Sequence, residues 1–219
     1  ESIVEAYQNG KSHLEKRSKM RELVIGCNVL ASYYLLPEVL SSFRKENPSL
    51  KIRTVTSTSE EIERQVMSGS VDIGFVRSSK NPVIVSKKVL ESPIHFYVEA
   101  ESGFKDGEVV DFEDLAKEPI VFYECDSLDW ALVKKLFRHL KYFPNIAYEV
   151  DSLEQAKALI MNRSGVGFLP EISVRKELTS KLVRRIHLPF SVDASLKIDM
   201  IYLKGKKSPY VPDFEKLFY

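Results

Sequence analysis

Short apolar runs alternate with segments of helical spacing along the chain from residue 22. The run from Leu23 to Cys27 ends before Asn28 and is typical of a strand buried on both faces. A helix is predicted next, from apolar residues at helical intervals: Leu36, Val39, Leu40 and Phe43. The β-branched alternation from Ile52 to Thr56 then predicts a second strand.

The following helix has its own start and stop signals. Thr58 with Glu61 three residues later matches a capping box, and Gly69 ends the segment. The apolar run from Val71 to Val76 predicts a third strand. The first part of the chain is therefore predicted as one βαβαβ unit.

The same order recurs in the second half of the chain. Strands are predicted at 120–123, 146–150 and 166–170, with helices between them, the second of which begins at Asp151 or Ser152. Two such units imply parallel sheets with right-handed crossovers. Two more strands are predicted at 182–188 and 196–203, followed by a last helix containing Val211, Phe214 and Leu217. This final segment is long enough for the chain to return to the first unit. The predicted fold class is α/β: a two-lobed clamshell of βαβαβ lobes with a cleft between them.

Composition and charge exclude several classes of protein. The chain has 219 residues, of which 44% are hydrophobic and 29% charged, as in ordinary soluble globular proteins. Its 32 basic and 31 acidic side chains leave a net charge of +1, whereas a free-standing nucleic-acid binder usually has a basic excess. No apolar run approaches the ~20 residues of a membrane span.

Cysteine content and the first residues bear on the cellular compartment. Two cysteines cannot cross-link a secreted scaffold, which favours a reducing compartment. Cys27 and Cys125 end corresponding strands, so a redox pair is conceivable, but a disulfide needs Cα atoms within ~7 Å and inert buried thiols are favoured. Residues 1–19 are strongly charged, lack the apolar core of a signal peptide and begin without Met. We expect that an N-terminal part precedes them.

Polar residues follow most of the predicted strands, where open α/β sheets bind their ligands. The strand ends concerned are at positions 28–32, 57–59, 77–78, 124–130, 151–152 and 168–170. Several are hydroxyl residues that lead into helix N-termini, where free N–H groups favour an anion. Each one alone is better explained as a helix cap. The functional interpretation depends on the whole set converging on one crevice.

Two side chains of this set could contact a ligand directly. Arg77 could pair with a ligand carboxylate or, equally, be a solvated loop residue or pair with a local acid. Trp130 could stack on a ligand, although a helix residue that covers the core is slightly favoured. A cluster of acids would favour a zwitterion or a cation if it faces the cleft: Glu124, Asp126, Asp129 and Asp151.

Signatures of catalysis and metal binding are missing from the sequence. It contains no CxxC, HExxH, GxSxG or GxGxxG, and its four histidines are scattered without metal-ligand spacing. We therefore expect no catalytic residue, no metal and no cofactor.

Three segments resemble a known family. They are "ELVIGCNVLASYYLLPEVLSSFRKENPSLKI" at 22–52, "EEIERQVMSGSVDIGFVR" at 60–77 and "QAKALIMNRSGVGFLPE" at 155–171. In their order and spacing over nearly the whole chain, they resemble the effector-binding domain of LysR-type transcriptional regulators. The resemblance implies a type 2 periplasmic-binding-protein fold. Lobe I would span 20–98 and 195–219 and lobe II 99–194, while 1–19 would end a linker helix.

The resemblance also implies a function. The intact protein would be a cytoplasmic transcription regulator, a homodimer or a dimer of dimers, without membrane contact. It would bind DNA only through an N-terminal winged helix-turn-helix domain that is absent from this chain. A small metabolite, an organic acid or an amino acid, would bind between the lobes and rearrange the oligomer.

Positions of effector contacts follow from the same resemblance. In the family they recur after the first strand, at the start of the second helix, after the third strand and at the strand ends of lobe II. On this sequence the positions are Leu30, Ala31, Ser32, Ser57, Ser59, Arg77, Tyr123, Ser127, Trp130, Asp151, Gly167 and Phe168. The family often has a polar residue where this chain has Leu30.

Two other classes of protein remain as alternatives. A transport-type solute-binding protein shares the fold, but it would need a signal peptide or a lipoprotein cysteine. An enzyme on the same clamshell would need acid–base or nucleophile geometry, which the sequence does not indicate. The sequence that precedes this chain would discriminate, because a helix-turn-helix indicates a regulator and an apolar leader a transporter.

Overall fold

The computed structural model describes residues 22–105, 107–123, 144–189, 194–205 and 208–218. The chain divides into two compact units, Glu1–Val89 with Ile198–Tyr219 and Leu90–Lys197. Each unit is a sheet with helices, in agreement with the predicted α/β class.

The first unit begins with alternating strands and helices. They are β1 (Glu22–Cys27), α1 (Val29–Tyr34), α2 (Leu36–Glu46), β2 (Lys51–Thr56), α3 (Ser59–Ser68) and β3 (Ile73–Val76). Strand β1 lies between β2 and β3 and is parallel to both, as the alternation predicts. The N-cap bond of the predicted capping box is present, because Thr58 Oγ1 accepts a hydrogen bond from the Glu61 N–H at 3.3 Å. Gly69 ends α3 in the left-handed conformation with φ 76°.

The second unit contains most of the remaining elements. They are β4 (Ile84–Glu99), which belongs to this unit from Leu90 onward, α4 (Phe112–Leu115), β5 (Ile120–Tyr123), β6 (Ile146–Val150), α5 (Leu153–Met161), β7 (Val166–Pro170), α6 (Glu171–Thr179) and β8 (Val183–Arg185). Strand β5 is parallel to β6 and β7, while β4 pairs antiparallel with β7 and β8. The predicted helix around Leu132, Leu136 and Leu140 lies outside the described residues.

The chain ends in the first unit with β9 (Ser195–Leu203) and α7 (Val211–Glu215). Strand β9 pairs antiparallel with β3, so the chain returns to the sheet of the first unit. Helix α7 places Phe214, which is fully buried, with its ring centroid 4.1 Å from that of Phe43. On β1, Val24 packs with Ile62 and Val66 of α3 in a cluster of buried apolar side chains.

Two properties of the described residues bear on the function classes. No described helix is both long and apolar enough to cross a membrane. Within the described ranges, no group of three or more His, Cys, Asp or Glu side chains is placed to hold a metal ion.

Candidate functional site

The carboxyl ends of β1, β2 and β3 lie side by side at one edge of the first unit's sheet. Cys27 of β1 is in register with Thr56 of β2 and with Phe75 of β3. Backbone hydrogen bonds join the loops beyond, from Asn28 N–H to the Phe75 carbonyl at 3.0 Å and from Ser57 N–H to the Cys27 carbonyl at 3.1 Å. The three loops that contain this unit's predicted contacts therefore start at one edge, which we call the carboxyl edge of the first unit.

The loop after β1 turns directly into α1. Asn28 is the N-cap, and its Oδ1 accepts a hydrogen bond from Ala31 N–H at 2.8 Å. Ser32 Oγ donates to the Val29 carbonyl at 2.7 Å within the helix. The side chains of Leu30 and Ala31 are buried. The predicted contacts in this loop therefore offer a ligand mainly backbone groups and the Ser32 hydroxyl, whose proton is already donated to the Val29 carbonyl.

The start of α3 is tied to the loop after β3. Ser59 Oγ accepts a hydrogen bond from the backbone N–H of Arg77 at 3.3 Å. Arg77 itself is exposed and follows four buried residues of β3. The capping interpretation therefore holds for Thr58, whereas the Ser59 hydroxyl helps to place Arg77. The structure brings Ser57, Ser59 and Arg77 to the same edge.

Cys27 ends β1 as a buried thiol. Its Sγ lies 3.6 Å from both the Val55 carbonyl and the Thr56 hydroxyl. Burial raises the pKa of the Cys27 thiol, and the hydrogen bond with Thr56 offsets that effect in part. This environment matches the inert thiol favoured above, and Cys125 lies outside the described residues.

The second unit has a corresponding edge at the ends of β5 and β6. Tyr123 ends β5 in register with Val150 and is buried. Asp151 follows β6 and is exposed. The cap of α5 is Ser152 rather than Asp151, because Ser152 Oγ accepts from Gln155 N–H at 3.4 Å. Asp151 is thus not the N-cap of α5. Predicted contacts Ser127 and Trp130, with the acids at 124–129, lie outside the described residues.

Gly167 and Phe168 lie inside β7, before its carboxyl end. The Phe168 ring centroid is 4.6 Å from that of Phe96, and the side chain is 2% exposed. A Cβ on Gly167 would lie 2.0 Å from Ile160 Cδ1. Packing in the second unit accounts for both residues, and their role as effector contacts stays a prediction.

The loop after Arg77 contains ordering residues that the sequence analysis did not single out. Asn81 N–H donates to Ser79 Oγ at 3.2 Å, and Ser79 N–H donates to Ser86 Oγ at 3.4 Å. The run of Ser, Asn and Pro at 78–82 is a turn signal that could have identified them.

A cavity of about 680 Å³ lies in the second unit, beside the amino ends of β5 and β7. None of the described predicted contacts lines it. Two of its carboxylates have partners, since Arg163 Nε donates to Glu99 at 3.0 Å and Lys117 Nζ donates to Asp114 at 2.7 Å. We therefore do not place the effector site there.

Comparisons with known proteins agree with this architecture. A family model described as the LysR substrate binding domain matches residues 16–218. The uncharacterized HTH-type transcriptional regulator YraN of Bacillus subtilis (strain 168) is 24% identical over 220 residues, which cover 98% of this chain and 73% of that protein. The HTH-type transcriptional regulator AlsR of the same organism is 24% identical over 203 residues, which cover 90% of this chain and 66% of that protein.

Solved structures show the same fold. The cofactor-binding domain of the Cbl transcriptional regulator matches with a TM-score of 0.74 at 21% identity, covering 90% of this chain and 87% of that one. The BenM effector binding domain with its effector benzoate matches with a TM-score of 0.71 at 19% identity, covering 90% of each chain. The predicted fold is confirmed by this likeness.

Proposed function

The chain belongs to the LysR substrate-binding domain family, and we propose that it is the effector-sensing domain of a transcription regulator. The two relatives reported above, YraN and AlsR, are transcription regulators rather than enzymes. This chain spans 73% and 66% of their lengths, so the activity of the whole protein is part of the proposal. Because both relatives are named HTH-type transcriptional regulators, the comparison favours a regulator over the solute-binding protein of a transporter.

The carboxyl edge of the first unit is the observation that supports effector binding. It combines an exposed guanidinium at Arg77 with the hydroxyl groups of Ser57 and Ser59. A guanidinium pairs with a carboxylate through two parallel hydrogen bonds, so an organic acid or an amino acid is the proposed effector class.

The remaining parts of the proposal concern the intact regulator. We propose that it acts in the cytoplasm and binds DNA through a domain outside this chain. We further propose that effector binding rearranges a homodimer or a dimer of dimers.

Replacing Arg77 by alanine tests the effector site. Titration of small organic acids and amino acids, followed by fluorescence of the one tryptophan, should identify a ligand of the wild-type chain. Arg77→Ala should then weaken its binding by roughly 1.5–3 kcal/mol, the range for a hydrogen bond to a charged group. Arg53→Ala is the matched control, because Arg53 is also exposed but lies within β2. Wild-type affinity in Arg77→Ala would contradict the role of Arg77, and consumption of the ligand would indicate an enzyme.

Self-association of the isolated chain is a further expected result. Tyr33 on α1 is 62% exposed and Val29 is 53% exposed, so α1 leaves an apolar surface uncovered. A closed two-fold dimer is the commonest way to cover such a surface. Sedimentation equilibrium at tens of micromolar should give about twice the mass of 25.1 kDa, and Tyr33→Ser should weaken the association. A single species of monomer mass would refute this expectation.

A further inference from the structure

The loop that contains Arg77 is anchored at several points. It connects β3 to β4, and the Arg77 N–H at its start is held by Ser59 Oγ of α3. Further along, Asn81 Nδ2 donates to Glu63 Oε1, also on α3, at 3.2 Å. The Ser79 N–H between them donates to Ser86 Oγ on β4. The loop is therefore tied to both α3 and β4.

The anchor on β4 is supported by a buried acid. Ser86 Oγ donates its proton to Asp199 Oδ2 at 2.6 Å. Asp199 lies on β9 directly opposite Val76, the last residue of β3 before Arg77. It is 7% exposed, and among the described residues it is the one buried carboxylic acid.

An acid at this position is not explained by packing. Ile198, Met200 and Ile201 beside it are fully buried apolar side chains. Burial of a carboxyl group is unfavourable unless hydrogen bonds compensate, so an apolar residue would suit the strand better. We therefore explain the presence of Asp199 by its hydrogen bond with Ser86.

The hydrogen-bond chemistry of Ser86 indicates how this works. A serine hydroxyl has one proton and two acceptor lone pairs. Because the Ser86 proton is directed to Asp199, its lone pairs are left to accept from the N–H of Ser79. Without Asp199 the hydroxyl could rotate and donate elsewhere, and the 3.4 Å contact with Ser79 would weaken first.

We propose that Asp199 and Ser86 are positioning residues that fix the 77–83 loop and, through it, the site of Arg77. The importance of this placement for effector binding rests on the function proposed above. The ordering of the loop itself does not, and it can be tested in the effector-free protein.

Limited trypsin digestion of the effector-free chain measures the order of this loop. The Arg77–Ser78 and Lys80–Asn81 bonds are its two tryptic sites, and cleavage requires the loop to leave its anchors. Ser86→Ala and Asp199→Val should raise cleavage at both bonds by about 3- to 10-fold, as expected for loss of one hydrogen-bonded link. Asp199→Asn should cleave like the wild type, because it keeps an acceptor oxygen for Ser86.

The Lys181–Leu182 bond is the internal control, because it is exposed and lies in the second unit. A general loss of stability would raise its cleavage in parallel, and a parallel rise in both variants would overturn the proposal. Unchanged cleavage of the loop in Ser86→Ala and Asp199→Val would overturn it as well. Neither result depends on the binding measured with Arg77→Ala, so the two proposals can fail separately.

Discussion

Replacing Phe214 by alanine is expected to lower the free energy of unfolding by about 3–5 kcal/mol, the usual range for a buried phenylalanine. Phe214 is fully buried, and its ring centroid lies 4.1 Å from that of Phe43 and 6.2 Å from that of Phe75. Helix α7 has only five residues and cannot be stable by itself, so this side chain holds it to the sheet. Urea unfolding followed by circular dichroism would measure the change.

Phe218 is the matched control for Phe214. It is partly buried in the same segment, and its ring centroid lies 5.9 Å from that of Phe75. Phe218→Ala should therefore cost less, about 1 kcal/mol. Equal losses in the free energy of unfolding would show that Phe214 contributes no more to stability than the partly buried Phe218.

Gly165→Ala is expected to cost about 3 kcal/mol or more, the upper end for overpacking, because the neighbour is backbone rather than a flexible side chain. A Cβ at this position would lie 2.1 Å from the carbonyl oxygen of Pro119. The same oxygen accepts a hydrogen bond from Val166 N–H at 2.8 Å where β7 begins. The methyl group would therefore separate β7 from the start of β5, and thermal unfolding of the variant should show the loss.

Gly103→Ala provides the comparison for Gly165. A Cβ on Gly103 would meet no atom within 4 Å. We expect a change of about 0.5 kcal/mol or less, as for ordinary surface substitutions. Comparable stability of the two alanine variants would contradict the close approach of Gly165 to Pro119.

Local patterns predicted most of the regular elements. The apolar spacing before Pro48 corresponds to α2, and the run at 120–123 corresponds to β5. Strand β1 is buried from Leu23 to Cys27, as its continuous apolar run indicated. These features could be predicted because burial on one or both faces imposes a period on the sequence.

Several elements were not predicted. Strand β4 has 16 residues with many partly exposed positions, and its pairing with β7 and β8 is not visible locally. The separate helix α1 was missed, although Pro37 near the start of α2 is a signal for the break at Leu35. Helix α6 was also missed, because it follows β7 without a loop or a side-chain cap.

The sequence predicted which residues of the candidate site lie together, but not what each of them binds. Strand-end reasoning brought Ser57, Ser59 and Arg77 together, and the register of β1 with β2 and β3 agrees. It could not show that Ser59 binds the Arg77 backbone. Asp199 was missed for the same reason, since only the pairing of β9 with β3 brings it near residue 77.

The return of the chain to the first unit has a consequence for synthesis on the ribosome. Residues 90–197 form one continuous stretch, whereas the first unit also needs 198–218 for β9 and α7. Domains usually fold in the order in which they are translated. Of the two units, the first begins to emerge earlier but must wait for residues 198–218, with the partner edge of β3 and the pocket for Phe214 still open. The nascent first unit is therefore the stage at which chaperones would be needed most.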